Sequence, residues 1–521
     1  MRISRRALTM FGVCVGLFLA ALDVSIVATA LPVMVADLGG LSAYSWVVSA
    51  YMLASTAGGP VFGKLSDLYG RKRLFLIGIG IFLAGSMLCG QARSMEQLIV
   101  FRFVQGIGGG AILALSITIA GALFQAVERA RMMAIVSSVW GISALVGPLT
   151  GGLIVDGLSW PWVFYVNLPV GAVATLIVVL SLRETATGRR PRIDYAGIAV
   201  FIVSVVALLL AVLQGGQSWP WLSAPSLGLF AIAAIGTACF FWIERRVPEP
   251  LLPLPLFRLR TVTVGTAGSF LTGAVLLSAG AYIPLFIQGV LGRSATEAGA
   301  VLTPMSLGWP AGGLIGGQIL NRIGYRRMAI AGGSFISLGF FLLTLVSEAT
   351  TPAQIVVYMF LVGLGMGLIS PTFLTAVQNT IPAAQLGIAT STVQFARTIG
   401  GVLGVGVLGA LMAARLTAGL DRLAAVPAAG GLPADLAAAV RDPQALLDPA
   451  FRAQLPEEIL IVLRQALAGG LQATYVASFT LGLLILVLAF QMPNRRPGEP
   501  ESPKARDQTP ESVATRREGL P

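Results

Sequence analysis

A succession of apolar runs, each close to membrane length, constrains this chain more than any other feature. We count fourteen, at roughly 8–32, 44–63, 74–92, 98–123, 133–155, 161–182, 195–214, 225–243, 263–288, 297–319, 328–347, 354–377, 388–414 and 471–491. A helix needs about 20 apolar residues to cross ~30 Å of hydrocarbon, so the chain reads as an all-α polytopic membrane protein. The loops test the count. With the amino terminus inside, the inside loops and the tail carry 26 of the 35 Lys and Arg residues, the outside loops carry seven, and Arg102 and Arg397 lie within runs. A miscounted helix would swap the sides of everything after it and blur this asymmetry, which is the positive-inside bias. Both termini are therefore expected on the cytoplasmic side of the cell membrane. The least secure point is the uncharged loop near 378–387.

Composition agrees. Hydrophobic residues make up 56% of the 521 and charged residues 11%, against about 25% charged in a soluble domain. The first run is too long for a cleavable signal and carries an acid where a signal core is apolar. The net charge of +12 is assigned to basic cytoplasmic loops, not to nucleic-acid binding. Cys14, Cys89 and Cys239 all fall in apolar runs and offer neither a disulfide framework nor metal-ligand spacing. GxSxG, HExxH, CxxC and the phosphate-binding GxxxxGK[ST] are all missing. The sequence thus gives no support for an enzyme, a cofactor or an ATP-driven pump, and leaves ion gradients as the energy source.

The stretch Gly16–Pro32 of the first run holds Asp23, the one Asp or Glu well inside any apolar run. A carboxylate at bilayer depth costs roughly 2.5–3.5 kcal/mol on insertion scales, so it is usually kept for a function. The chain has no histidine, which makes Asp23 the first candidate for carrying a proton at mid-membrane. The other reading is a structural acid that pairs with a basic group or caps a helix break.

An internal repeat is visible. Gly63–Arg73 (GKLSDLYGRKR) aligns with Gly317–Arg327 (GQILNRIGYRR) at a constant offset of 254. Each copy closes the second helix of a six-helix half if runs seven and eight are set aside as an insertion. In the second copy Asp67 has become Asn321 and Arg71 has become Tyr325. The expected division is a six-helix bundle over 8–182, two inserted helices with their loops over 183–262, and a second bundle over 263–491. That second bundle includes an outer loop, 415–470, expected to form a short helical excursion. The polar, Pro-rich stretch 492–521 is expected to be a disordered cytoplasmic tail.

With these residues on the page, the chain resembles the major facilitator superfamily, in its branch of fourteen-helix drug:proton antiporters. Gly63–Arg73 resembles the signature between helices two and three, and Leu22–Pro32 the first-helix motif of that branch. Arg102–Gly110 (RFVQGIGGG) resembles the fourth-helix basic motif. Gly141 with Gly147-Pro148-Leu149-Thr150-Gly151-Gly152 resembles the fifth-helix motif of antiporters, and Trp160–Gly171 is also typical. The resemblance covers roughly 8–491. It implies the major facilitator fold, with two six-helix bundles plus two inserted helices, and transport by alternation of the bundles.

It also implies roles. Gly63, Asp67, Gly70, Arg71 and Arg73 would form a latch between the halves, with Asp67 pairing with Arg71 or meeting a helix amino terminus. The alternative is a solvated topology determinant. Arg102, a fixed charge, would stabilise the Asp23 carboxylate, whereas burial favours the neutral form. The alternative is that Arg102, read as near the inner start of run four, snorkels to the inner interface. Gly141, Gly147, Pro148, Gly151 and Gly152 would make a closely packed, kinked fifth helix. Gly363, Gly365, Gly367, Gly400 and Gly404 are read as packing positions. From the residues alone, Gln105, Trp140, Phe373 and Gln378 are candidates for a substrate cavity, and Arg397 either faces that cavity or bonds backbone carbonyls.

The function implied is proton-coupled export of amphipathic, cationic or neutral, drug-like compounds. The alternatives are a dedicated exporter of one endogenous metabolite, antibiotic, siderophore or lipid, and a non-transporting sensor or assembly factor. The partners expected are a small-molecule substrate, protons and the lipid bilayer, with no nucleic acid, no metal and a monomeric chain.

Overall fold

The structure is a computed structural model that describes residues 4–39, 43–183, 193–216, 219–347, 350–420 and 455–499. The long elements are all helices: α1 (Arg5–Leu38), α2 (Tyr44–Tyr69), α3 (Arg71–Gly90), α4 (Met95–Leu123), α5 (Ala126–Gly157), the short α6 (Trp162–Tyr165) and α7 (Asn167–Ser181). Then follow α8 (Tyr195–Gln214), α9 (Ala224–Glu244), α10 (Arg260–Leu285), α11 (Ala295–Thr344), α12 (Pro352–Thr380), α13 (Leu386–Leu420) and α14 (Glu457–Gln491). No strand occurs among the described residues.

Polar caps explain where several helices start. Ser4, Ser94 and Asp194 accept from the backbone N–H three residues on, which satisfies an otherwise orphaned donor. Ser294 with Glu297 and Thr351 with Gln354 form capping boxes on α11 and α12.

Twelve described helices are long and apolar enough to cross a membrane. This differs from the fourteen runs in two places. Runs ten and eleven are two helices that meet at Gly324, where φ is 84° and ψ 169°, and are counted as the single element α11. The second run forms α2, but its Ser, Thr, Gly and Pro residues keep it off that count. The helices also outrun the apolar stretches: α14 begins at Glu457, fourteen residues before run fourteen. Of the expected outer loop, 415–420 belongs to α13, 457–470 to α14, and 421–454 lies outside the described residues.

Helices α1–α7 pack mainly on one another, as do α10–α14. Small residues allow the close approaches within each group. Gly108 faces the backbone of Phe82, Gly363 and Gly367 face Met305 and Trp309, Gly365 faces Gly332, and Gly400 and Gly404 face Phe270 and Ala274. The groups meet through α5 on α11 and α12, and through α13 on α2 and α4. The α8–α9 hairpin leans on α2 and α13 through Phe201, Val205, Leu209 and Phe240, against Leu53, Ala57, Ile399 and Val402.

The α2–α3 turn, the start of α5, the Gly324 break and the start of α13 share one face, here called the basic face. The segment after α14 runs along it: the Tyr325 N–H donates to the Arg495 carbonyl at 2.9 Å, and Gly498 lies beside Val127 of α5. Residues 492–499 of the expected tail are thus held on this face, and residues 500–521 lie outside the described residues. Because α3 leaves the basic face, α4 starts on the opposite one. Arg102, seven residues into α4, thus lies in the half of the bundle away from the basic face, not near the inner interface where the sequence reading put it.

Candidate functional site

Asp23 lies midway along α1 and is fully buried. One carboxylate oxygen accepts from Arg102 Nη1 at 2.6 Å. The other accepts from Gln105 Nε2 at 2.8 Å and from Asn167 Nδ2 at 2.9 Å. Arg102 and Gln105 share a face of α4 by their i, i+3 spacing, and Arg102 Nη1 also donates to Gln105 Oε1 at 2.7 Å. Ser86 of α3 accepts from Gln105 and Asn167 and donates to the Phe164 carbonyl. The guanidinium carbon sits 4.3 Å from the Tyr51 ring centroid, within cation–π range. Arg102 Nε reaches the Val47 carbonyl of α2.

Arg102 is 1% exposed, so it does not snorkel. Gln105, read as a cavity residue, belongs to this network instead. Ser86, Asn167 and Tyr51 are members that sequence reasoning missed. Only Asn167 left a trace, as the lone amide in the Trp160–Gly171 stretch.

At the basic face Asp67 closes α2 onto α13. Its oxygens accept from the N–H groups of Gly387 and Ile388, at 2.9 and 3.0 Å. These open α13, where unsatisfied donors and the helix dipole favour an anion. Arg71 lies 3.5 Å from the same carboxylate and donates to the Ala383 carbonyl at 2.8 Å. Both pairings named for Asp67 are therefore present together. Gly70, at φ 96°, makes the turn that a side chain would strain. Gly63 allows contact with Ser391: a Cβ there would lie 2.1 Å from its Oγ. Arg73 is exposed, and no described contact joins it to α13.

The second copy closes differently. Asn321 donates to the Val127 carbonyl of α5 at 3.0 Å. Arg129 of α5 donates to the Gln378 carbonyl and to Asn379 Oδ1 of α12, and Asn379 donates to the Tyr325 hydroxyl. Gln378, read as a cavity residue, also reaches Thr390 and the Ile117 carbonyl, so it helps join the groups. Beside these contacts a crevice of about 610 Å³ is lined by Phe124, Glu128, Arg131, Gln318 and Arg322.

The fifth-helix residues divide. Gly147 and Gly151 seat α5 on Ser25, Ile26 and Thr29 of α1, just beyond Asp23, whereas Gly141 seats it on Pro310 and Ser306 of α11. Gly152 faces open space, so no packing role attaches to it. The helix runs on through Pro148, which is exposed. Of the remaining cavity candidates, Phe373 is a fully buried core residue against Gly268. Trp140 is 36% exposed. Arg397 is partly buried, 6.0 Å from the Trp309 ring centroid.

The sequence profile described as Major Facilitator Superfamily matches residues 13–405. The chain belongs to that superfamily. It is similar to the multidrug transporter protein MdtP of Bacillus subtilis (strain 168), 41% identical over 412 residues, 79% of this chain and 76% of the relative. It is also similar to multidrug resistance protein 3 of the same organism, 37% identical over 490 residues, 93% of this chain and 94% of the relative. Among solved structures, the proton:xylose symporter XylE bound to 6-bromo-6-deoxy-D-glucose superposes with a TM-score of 0.59 at 13% identity, over 95% of this chain and 97% of that one. At that identity the likeness is one of fold. This major facilitator protein is therefore a multi-pass membrane transporter and not an enzyme. In it, the buried acid and the Asp67 contacts with α13 both sit on helices within the matched region.

Proposed function

We propose that this transporter is a multidrug exporter driven by proton exchange, with Asp23 as the proton-carrying group. The observation that carries the reading is a fully buried carboxylate on α1 whose hydrogen-bond donors come from α4 and α7. Protonation removes the charge that Arg102, Gln105 and Asn167 point at, and so loosens α1 from α4 and α7. Helix α5 transmits the change, because it is seated on α1 beside Asp23 and on α11 of the other group. The basic-face closures at Asp67 and Arg129 hold one end state, and breaking them gives the other. The similarity to relatives named as multidrug transporters supports drug-like amphipathic substrates. The distribution of Lys and Arg supports a cell-membrane location with both termini cytoplasmic. The chain works as a monomer of two six-helix bundles, with α8–α9 as the insertion and substrate held between the bundles. One proton returning inward supplies ~2.3 kcal/mol per 100 mV, enough for tens-fold accumulation outside.

The test is Asp23→Asn in proteoliposomes with an imposed pH gradient. The variant is expected to insert and to keep ethidium exchange across the membrane, but to lose gradient-driven ethidium movement and the matching proton flux. Full gradient-driven movement by the variant would remove Asp23 from the mechanism.

A further inference from the structure

The intramembrane arginines differ in one respect. Arg102 is paired with Asp23, whereas Arg397 has no anionic partner among the described residues. The described ion pairs are Arg102–Asp23, Arg71–Asp67 and Arg293–Glu297, and no described hydrogen bond leaves the Arg397 side chain. The sequence offers none nearby: between Glu297 and Asp421 the one acidic residue is Glu348, which lies outside the described residues.

Arg397 lies eleven residues into α13, about 16 Å along the helix at 1.5 Å per residue, well inside the hydrocarbon. Its backbone is pinned, since its carbonyl backs onto Gly273 of α10. Its guanidinium lies toward the Trp309 ring, whose indole N–H is buried with no acceptor among the described residues. Gly141 meets Pro310, so half-exposed Trp140 stands at the same level on the facing group. This part of the seam between the groups therefore holds a cation, an unused donor and aromatic surface, and no described acid. An uncompensated cation at low dielectric is costly until an anion arrives, and it repels other cations.

We propose that this level of the seam binds aromatic anions, with a carboxylate, sulfonate or phenolate on the Arg397 guanidinium and the ring between Trp309 and Trp140. The exported compounds are then anionic amphiphiles, not the cationic or neutral ones expected from sequence. This rests on the drug-export reading above and gives it a substrate class.

The purified full-length chain in proteoliposomes under a pH gradient tests it, with 1-anilinonaphthalene-8-sulfonate as the anionic probe and ethidium as the cationic one. Wild type is expected to move the sulfonate at least about tenfold faster than ethidium, each corrected for protein-free liposomes. Arg397→Gln should lower sulfonate movement about tenfold without lowering ethidium movement, and Arg397→Lys should restore part of it. Wild type that moves ethidium but not the sulfonate overturns the inference and leaves drug export standing. Unchanged sulfonate movement in Arg397→Gln overturns it as well. Wild type that moves neither probe overturns both. Should Arg397→Gln fail to fold by size exclusion, the wild-type preference between the two probes decides.

Discussion

Asp23 and Arg102 were legible because a charge inside an apolar run is conspicuous. Ser86 and Tyr51 were not, because small hydroxyls and tyrosines are ordinary members of membrane helices, and nothing in their spacing points at Asp23. Gln105 was noticed but misplaced: the sequence shows an amide at depth, not whether it faces a cavity or a carboxylate. The network makes firm predictions. Losing a hydrogen bond to a charged group is worth about 1.5–3 kcal/mol, so Asn167→Leu should lower gradient-driven transport roughly tenfold or more while exchange without a gradient continues. Arg102→Ala leaves a buried acid unpaired and should destabilise the protein by about 3–5 kcal/mol, seen as a lower midpoint of thermal unfolding in detergent. Combining it with Asp23→Asn should recover much of that loss, because the two residues form one unit.

Among the elements, the repeat was read correctly in its backbone. Gly70 and Gly324, 254 residues apart, both hold positive φ, 96° and 84°. What the repeat could not reveal was the partner of Asp67. It docks on backbone N–H groups at the start of α13, in the stretch near 378–387 whose lack of charge made it the least secure loop in the topology count. Main-chain donors leave no mark in a sequence. Asp67→Asn replaces an anionic acceptor with a neutral amide and should open this closure. A cysteine introduced by Ser391→Cys, buried against Gly63, should then react faster with a water-soluble maleimide than it does beside native Asp67. In α5, Gly141→Ala puts a methyl about 2.5 Å from Pro310 Cγ. It should slow transport while leaving the Asp23 network intact, whereas Gly152→Ala, which meets open space, should change little. Equal effects at the two positions would count against α5 as the link between the groups.

For the whole molecule, the succession of apolar runs was enough to give an all-helical, multi-pass chain, of which twelve described helices are long and apolar enough to cross a membrane. It did not give the seam, which depends on which helices face each other. The seam carries a consequence for energetics. Exchange of one proton for one monovalent anion moves two charges, about 4.6 kcal/mol per 100 mV at ~2.3 per charge. Exchange of one proton for one monovalent cation moves none. Movement of 1-anilinonaphthalene-8-sulfonate should therefore respond steeply to a potassium diffusion potential, and ethidium movement should not.

The segment after α14 ties into this motion. It reaches from the Gly324 turn to Val127, and so lies across two parts that must separate when the basic face opens. Anything appended there for purification or immobilisation rests on a working hinge. Turnover measured with such a handle would report the handle as much as the transporter.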